Sequence, residues 1–303
     1  MLAYLFPGQG SQSVGMGADL ALSFSEANAV LDEANAVLGF RLTDVMFGSA
    51  DAAEAQLTET QNTQPALYAH SFAAFTILEA RGAQPDVTAG HSLGEYSALA
   101  AAGAFTFADG LRVVRRRGEL MARARAGTMA AVLGLDDAVV EQVCSDVSGT
   151  GEGVVVPANY NAPGQVVVSG DVAAVERATD AFSEAGAKRV LPLPVSGAFH
   201  SPLMADAQTE FAATLDALDI RTPRCPVVLN VTAAPTTDPD EIRRRLVEQL
   251  TAPVRWAQSL ARIQADGATR YVEVGAGKVL SGLVKRTLGR RTDTAQAGTV
   301  DDF

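Results

Sequence analysis

A serine set between two glycines is the first place in this sequence where reaction chemistry can be expected. Gly90-His-Ser-Leu-Gly94 has the spacing G-x-S-x-G, and it lies between a short apolar strand predicted at 87–89 and a helical stretch. Glycines there permit a strained turn that lifts a hydroxyl clear of the backbone, and the following helix start offers free N–H groups. An ordinary glycine-lined turn is the alternative. The strand–turn–helix setting favours Ser92 as a nucleophile, with the N–H of Leu93 facing an oxyanion.

A serine hydroxyl needs a base, and the chain has three histidines. His70 lies at the edge of an apolar helical stripe and is predicted to be a packed core residue. His91 adjoins Ser92, but side-chain alternation through the turn should point it away, so it is predicted to shape the pocket. His200, in the loop Gly197-Ala-Phe-His200, is the base by elimination. No acidic residue stands out as a third member, so we expect a backbone carbonyl to orient His200.

An arginine in an apolar stripe is the second group with chemical potential. The helix predicted from Thr106 carries Arg117 four residues after Val113 and four before Met121, within its apolar face. A guanidinium there is costly unless a carboxylate meets it. That carboxylate belongs either to the protein or to a substrate held by two parallel hydrogen bonds. The opposite face, expected to be solvated, carries Arg112, Arg115, Arg116, Glu119 and Arg123.

Two glycine-rich turns resemble phosphate loops but lack the residues that would complete them. Gly8-Gln-Gly10 is not followed by a GxGxxG pattern, and Val279 stands where Gly275-Ala-Gly-Lys278 would need Ser or Thr. Nucleotide cradles are therefore not expected. Gln9 is predicted to be a side-chain donor near the second oxyanion contact.

The elements that must position these groups alternate between short strands and helices, which predicts an α/β fold with a mostly parallel sheet. Strands are expected at 2–6, 87–89, 227–230 and 270–274, and a helix is expected to open at Pro65. In residues 128–195 the order of predicted elements changes to β-α-β-β-α-β, with a last strand at 188–195. This order predicts an inserted ferredoxin-like subdomain. The remaining segments, 1–127 and 196–303, form the predicted catalytic body.

Composition excludes several classes of protein. The 303 residues carry a net charge of −11, which argues against a nucleic-acid partner. The longest apolar stretch, 98–107, is too short to span a bilayer, so no membrane association is expected. Two cysteines make no disulfide framework, and no metal-ligand spacing occurs. We expect a cytoplasmic, monomeric protein without metal or cofactor.

Ordered motifs along nearly the whole chain carry a resemblance to a known family. They are Phe6-Pro-Gly-Gln-Gly-Ser-Gln12, Thr63-Gln-Pro-Ala-Leu67, Gly90-His-Ser-Leu-Gly-Glu-Tyr-Ser-Ala98, Arg117-Gly-Glu-Leu-Met121, Asn159-Tyr-Asn-Ala-Pro-Gly-Gln-Val-Val-Val-Ser169, Gly197-Ala-Phe-His200, Pro253-Val-Arg-Trp256 and Val274-Gly-Ala-Gly-Lys-Val-Leu280. With them the sequence resembles the malonyl-CoA:acyl carrier protein transacylases, including the discrete trans-acting acyltransferases of polyketide synthases.

The resemblance implies a fold, a reaction and a set of roles. The fold is an α/β-hydrolase-like body with a ferredoxin-like insertion. The reaction moves malonyl from malonyl-CoA to the phosphopantetheine thiol of an acyl carrier protein by a ping-pong route, in fatty acid or polyketide synthesis. The resemblance implies that Ser92 is acylated, that His200 is the base and that Gln9 and Leu93 form the oxyanion hole. It also implies that Arg117 clamps the carboxylate, with His91, Met121 and Phe199 around the substrate, and that the carbonyl of Gln249 orients His200.

Phe199 favours malonyl over methylmalonyl by the same resemblance, although Gly197 stands where related enzymes often carry a bulkier residue. Three basic segments are candidates for meeting an acidic carrier: Arg243-Arg-Arg245, Lys188-Arg189 and Lys285-Arg286.

Two other functions fit parts of the pattern. A thioester hydrolase of the same fold would use the same Ser92 and His200 but has little need for a carboxylate socket at Arg117. A catalytically silent docking protein of a synthase complex would need none of the three.

Overall fold

The computed structural model describes residues 1–124, 126–195 and 197–303, which form two β-sheets with helices packed around them. The strands are β1 (Leu2–Phe6), β2 (Val87–Gly90), β3 (Thr128–Leu133), β4 (Val155–Ala162), β5 (Gln165–Gly170), β6 (Arg189–Pro192), β7 (Val227–Val228), β8 (Pro235–Thr236), β9 (Arg270–Val274) and β10 (Asp293–Ala297). The helices are α1 (Ala18–Ser23), α2 (Ser25–Leu38), α3 (Leu42–Phe47), α4 (Ala53–Thr58), α5 (Thr60–Ala80), α6 (Gly94–Ala101), α7 (Phe107–Arg123), α8 (Asp137–Gly149), α9 (Val172–Glu184), α10 (Ala205–Asp216), α11 (Pro239–Glu248), α12 (Trp256–Ala265) and α13 (Val279–Leu288). Short 3₁₀ turns cover Pro202–Met204 and Val300–Asp302.

The larger sheet has the strand order β10-β9-β1-β2-β7-β8. Its strands are parallel except β8, which runs antiparallel to β7. β2 is buried along its whole length and β1 from Ala3 onward, as expected of central parallel strands covered by helices on both faces. Because the strands are parallel, the segments after β1, β2 and β7 leave the sheet at one edge.

The smaller sheet is antiparallel, with the order β4-β5-β3-β6. Its element order is the predicted β-α-β-β-α-β, and α8 and α9 pack on it around a separate apolar core. The predicted boundary at residue 196 lies outside the described residues. β4 also reaches the rest of the protein: the N–H of Tyr160 donates to the carbonyl of Val254 at 2.9 Å, and the Val254 N–H donates to Ala158 at 2.8 Å.

The helix around Pro65 begins earlier than predicted. α5 starts at Thr60, and Pro65 lies inside it. Proline cannot donate to the carbonyl four residues before it, which here is that of Gln61. Arg115 of α7 supplies the missing donor, because its Nη1 lies 2.9 Å from the Gln61 carbonyl oxygen. Arg115 is therefore only 24% exposed and is not the solvated residue that its helix face predicted.

Two strands are shorter than predicted. The strand expected at 188–195 ends at Pro192, because Pro192 and Pro194 have no N–H for a ladder. The strand expected at 227–230 ends at Val228. There the N–H of Asn230 leaves the sheet and donates to the Glu95 carboxylate at 2.7 Å.

The core holds His70 where its apolar stripe placed it. The ring is 1% exposed, and its Nε2 lies 3.0 Å from the Gly298 carbonyl. Burial lowers the pKa of His70 to about 4. Across the described ranges, no helix combines the length and the apolar character needed to cross a membrane.

Candidate active site

Ser92 lies in a tight turn between β2 and α6, with a left-handed φ of 50°. Close packing on both sides explains the flanking glycines. A Cβ on Gly90 would lie 1.9 Å from the Gly94 carbonyl, and one on Gly94 would lie 2.0 Å from the Phe6 carbonyl oxygen. The two glycines let the chain fold tightly enough to hold a non-glycine residue in a strained conformation, as functional sites often do.

His200 reaches Ser92 from the loop before the 3₁₀ turn. Its Nε2 lies 2.8 Å from Ser92 Oγ, and its Nδ1 lies 2.8 Å from the Gln249 carbonyl and 3.2 Å from that of Ala252. Carbonyls only accept, so Nδ1 carries the proton and Nε2 is free to accept the serine proton. Burial, and secondarily the charge of Arg117, lower the pKa of His200 to about 3. His200 is therefore neutral near pH 7, as a base must be.

Arg117 is buried, at 1% exposure, and meets neutral partners. Nη2 donates to Ser92 Oγ at 3.1 Å and to Gln249 Oε1 at 3.0 Å, and Nη1 donates to Gln64 Oε1 at 2.9 Å. Its Nε has no partner. Among the described residues no carboxylate forms an ion pair with Arg117. The internal salt bridge, one of the two predicted arrangements, is therefore not formed within that part of the chain.

The surroundings of Arg117 act on its charge in opposite directions. Burial lowers the pKa of Arg117, while Tyr96 and Glu95 raise it. The guanidinium lies over the Tyr96 ring, 5.5 Å from its centroid, where a cation is attracted to the π-face. An unpaired buried guanidinium of this kind favours an incoming anion.

Two glutamines hold Arg117, and the sequence reasoning missed their side chains. Gln249 was predicted only through its carbonyl, yet its Oε1 accepts from Arg117 and its Nε2 donates to the Ser92 carbonyl at 3.1 Å. Gln64 accepts from Arg117 and donates to Met121 Sδ at 3.2 Å. The signals for Gln64 were its place in the motif Thr63-Gln-Pro-Ala-Leu67 and a polar side chain on the buried face of an apolar helix.

Leu93 and Gln9, the two predicted oxyanion donors, differ in the hydrogen bonds that they already make in the structure. Leu93 directly precedes α6, and its N–H has no hydrogen-bond partner within residues 1–124, 126–195 and 197–303. The Ser92 N–H is taken by Asn230 Oδ1 at 2.7 Å. The side chain of Gln9, predicted to be a donor here, instead donates through Nε2 to Thr60 Oγ1 at 3.3 Å. Gln9 lines the site, and this bond uses one of the two N–H groups of its side-chain amide.

His91 is turned away from the serine hydroxyl. Its Nε2 lies 2.8 Å from Asn161 Oδ1 of β4, and its ring packs against Trp256 at a centroid distance of 5.5 Å. Burial lowers its pKa. His91 thus connects the turn of the nucleophile to the smaller sheet.

These groups surround one cavity of about 110 Å³. Eight of the predicted site residues line it, and Gln249 lies behind Arg117 and His200. The lining residues are Gln9, His91, Ser92, Leu93, Arg117, Met121, Met129, Asn159, Leu193, Val195, Phe199 and His200. Met129 and Asn159 come from the smaller sheet, so both sheets build the cavity. Gln9 and Val195 also line a larger, polar cleft of about 470 Å³ with Thr58, Glu59, Thr60 and Gln61.

In the part of the chain that the structure describes, no cluster of three His, Cys, Asp or Glu residues could hold a metal ion.

Fold and site together define an α/β protein in which a serine–histidine pair, at the edge of a parallel sheet, faces a buried guanidinium. This is the arrangement of an acyl-transfer enzyme that works through serine. Residues 3–301 match the family model described as acyl transferase domain, and the chain belongs to this family.

Named relatives agree with this class. The malonyl CoA-acyl carrier protein transacylase of Bacillus subtilis (strain 168) is 47% identical over 97% of this chain and 92% of its own. An acyl carrier protein S-malonyltransferase from Vibrio cholerae superposes with a TM-score of 0.94 at 42% identity, covering 99% of this chain and 98% of that one. A type II polyketide synthase acyl carrier protein in complex with its malonyl-transacylase matches with a TM-score of 0.94 at 40% identity, covering 99% and 97%.

Proposed function

We propose that this protein transfers malonyl from malonyl-CoA to the phosphopantetheine thiol of an acyl carrier protein. The observation that carries the proposal is the 3.1 Å separation of Arg117 Nη2 and Ser92 Oγ, with neutral partners around the guanidinium. A malonyl group carries its carboxylate one carbon from its thioester carbonyl. Such a group places a carboxylate on Arg117 while its carbonyl carbon meets Ser92.

The first half-reaction acylates Ser92. Nε2 of His200 takes the hydroxyl proton as Oγ attacks the thioester carbon, and the Leu93 N–H meets the oxyanion. The C–S bond breaks, and coenzyme A leaves with the proton from His200. The carbonyl of Gln249 holds the Nδ1 proton throughout, so that the same ring nitrogen both accepts and returns the proton.

The second half-reaction reverses these roles with a different thiol. The carrier's phosphopantetheine thiol gives its proton to Nε2 of His200 and attacks the ester carbon. The oxyanion then collapses, and Ser92 leaves with the proton. Apolar lining from Met121, Met129 and Phe199 keeps the small cavity poor in water, which favours transfer over hydrolysis.

Intact-protein mass spectrometry with a panel of acyl-CoAs tests the proposal. The protein should gain one malonyl mass from malonyl-CoA and lose it when a thiol-bearing carrier is added. Ser92→Ala should gain none. A thioester hydrolase would instead release free malonate at the transfer rate with carrier present. A docking protein would gain no acyl mass at all.

We also propose a division of the chain into two structural units and a cellular location. A nucleophile on a strand–turn–helix after β2 supports an α/β-hydrolase-like body of residues 1–127 and 196–303, with 128–195 as the ferredoxin-like insertion. Cys144 and Cys225 are both free thiols, which fits a cytoplasmic location. The monomeric state stays a prediction.

The carrier must meet a basic surface, and one of the three candidate segments is largely engaged within the protein. Arg243 donates to the carbonyls of Leu215 and Leu218, and Arg245 pairs with Glu248 at 2.7 Å. Arg189 is the first residue of β6 and Lys188 directly precedes it, and β6 leads into Leu193 and Val195 at the cavity. We favour Lys188-Arg189 as the carrier contact.

A further inference from the structure

Asn230 is buried beside the nucleophile and uses every polar group it has. Its side-chain Oδ1 accepts from the Ser92 N–H at 2.7 Å, and its Nδ2 donates to the Gly90 carbonyl at 2.7 Å. Its backbone N–H donates to Glu95 Oε2 at 2.7 Å, and its carbonyl accepts from the Arg255 N–H at 3.0 Å. One side chain thus spans the strained turn, holding the residues on both sides of His91.

Glu95 closes this network into a ring. It lies three residues after Ser92, in the first turn of α6, and is 0% exposed. A carboxyl buried so completely is costly unless it has partners, and Glu95 accepts from the Asn230 N–H and also interacts with the Gln249 side chain. Burial raises the pKa of Glu95 to about 7. Glu95 therefore fixes Asn230, and Asn230 fixes the backbone of Ser92.

We propose that Asn230, held by Glu95, is a positioning residue that keeps the Ser92 turn in its reactive geometry. The inference rests on the proposed role of Ser92 as nucleophile. Asn230 acts in two ways. It restrains a residue at φ 50°, where L-residues are strained, so that Oγ stays 2.8 Å from His200. It also occupies the Ser92 N–H, which leaves the Leu93 N–H as the donor that faces an oxyanion.

The residue types are matched to the two bonds. Asparagine offers an acceptor to the Ser92 N–H and a donor to the Gly90 carbonyl at once. Aspartate would set a carboxylate oxygen against the Gly90 carbonyl, and alanine would leave both backbone groups buried without a partner. Glutamine at position 95 would preserve an acceptor for the Asn230 N–H, whereas alanine would remove it.

The test measures how fast Ser92 is acylated by malonyl-CoA, by rapid-quench mass spectrometry, together with KM and the thermal midpoint. Asn230→Ala should acylate about 100-fold more slowly, with little change in KM, because misplacing a reacting group costs rate and not binding. Asn230→Asp should also be slow. Glu95→Gln should stay near the wild-type rate, while Glu95→Ala should be slow. The double variant N230A/E95A should be no slower than N230A, since the two residues act as one unit.

Asn35→Ala is the matched control. Asn35 also makes a two-way bridge, to the N–H of Thr43 at 3.1 Å and its Oγ1 at 2.9 Å, but it does so between α2 and α3. Asn35→Ala should lose stability and keep the wild-type acylation rate. The inference is overturned if Asn230→Ala acylates at the wild-type rate, if its loss matches that of Asn35→Ala at equal thermal midpoint, or if Glu95→Gln is as slow as Glu95→Ala.

A second reagent separates this inference from the choice of substrate. Phenylmethylsulfonyl fluoride needs an activated serine but no carboxylate socket. Should the wild-type protein gain no malonyl mass, the proposed substrate is wrong, and the sulfonylation rate of Ser92 then carries the comparison. A slower sulfonylation in Asn230→Ala than in Asn35→Ala supports the positioning role, and equal rates overturn it.

Discussion

The guanidinium of Arg117 and the hydroxyl of Ser92 are directly hydrogen-bonded, with Nη2 3.1 Å from Oγ. The same hydroxyl lies 2.8 Å from Nε2 of His200. One oxygen therefore connects the base to a buried positive charge. That charge lowers the pKa of His200 and attracts an anion to the atom beside the nucleophile. In the proposed reaction, recognition of the acyl group and activation of the serine are therefore coupled through a single contact.

Removing the guanidinium should change which acyl group is transferred. Arg117→Ala removes charge-assisted hydrogen bonds worth about 1.5–3 kcal/mol each to a substrate carboxylate. We expect malonyl transfer to fall at least about tenfold relative to acetyl transfer, since about 1.4 kcal/mol corresponds to a factor of ten. Transfer rates from malonyl-CoA and acetyl-CoA give the ratio.

Arg112→Ala is the control for that ratio. Arg112 lies on the same helix, is 58% exposed and pairs with Asp109. It should leave both rates unchanged. An unchanged malonyl-to-acetyl ratio in Arg117→Ala would falsify the clamp.

How far the sequence predicts this site depends on how local each signal is. Ser92 is marked by a five-residue pattern with its strand and helix, and Arg117 by its position on one helical stripe. No local pattern assigns a role to the side chains of Gln64, Asn230 and Gln249, although Gln64 lies in the motif Thr63-Gln-Pro-Ala-Leu67. Their partners are 53, 138 and 132 residues away in the chain, so only the folded structure brings them together.

The fold shows the same division. Alternating strands and helices predicted the α/β class, and the change of rhythm at residue 128 predicted the second sheet. The start of α5 was wrong because an arginine on another helix satisfies the carbonyl that Pro65 leaves free. The oxyanion role of Gln9 stays a prediction, and its side chain donates to Thr60, a distant neighbour that no local pattern could indicate.

A substitution at Gln249 can test the predicted role of Arg117 separately from that of His200. Gln249→Ala removes the Oε1 that holds Arg117 at 3.0 Å but keeps the backbone carbonyl that accepts from His200 Nδ1 at 2.8 Å. We expect the malonyl-to-acetyl ratio to fall while acetyl transfer stays within about tenfold of wild type. The other bond lost, from Gln249 Nε2 to the Ser92 carbonyl, is neutral and contributes about 1 kcal/mol. Steady-state transfer rates measure both. Loss of acetyl transfer as complete as that in His200→Ala would contradict this separation.

The pH dependence should report the same coupling. His200 must be neutral to accept the serine proton, and its pKa is lowered to about 3 by burial first and by Arg117 second. The acetylation rate kcat/KM of the wild type should therefore stay flat on the acidic side from pH 8 to pH 5, and fall only as the pH approaches 3.

Arg117→Ala removes a nearby positive charge, which raises the pKa of His200. Its acidic limb should move to higher pH. Glu95→Gln serves as a control that removes a second buried titratable group near Ser92, whose pKa burial raises to about 7. Acidic limbs at the same pH in the wild type and in Arg117→Ala would show that the charge does not act on His200.

The contact between Arg115 and the helix around Pro65 should be a determinant of stability and not of chemistry. Arg115 Nη1 donates to the Gln61 carbonyl and to Asn62 Oδ1, both at 2.9 Å, and its Nε donates to Glu119 at 2.8 Å. Arg115→Ala leaves the Gln61 carbonyl without either the helical or the side-chain donor. We expect the free energy of unfolding to fall by about 1–2 kcal/mol, measured by urea denaturation, because the Gln61 carbonyl is left without a hydrogen-bond donor. Arg112→Ala, on the exposed face of the same helix, should change the free energy of unfolding by less than about 0.5 kcal/mol.

Pro65→Ala restores an N–H for the Gln61 carbonyl, so the loss caused by Arg115→Ala should be smaller in the Pro65→Ala background. Equal losses in the two backgrounds would mean that Arg115 stabilises the protein through Glu119 and Asn62 alone.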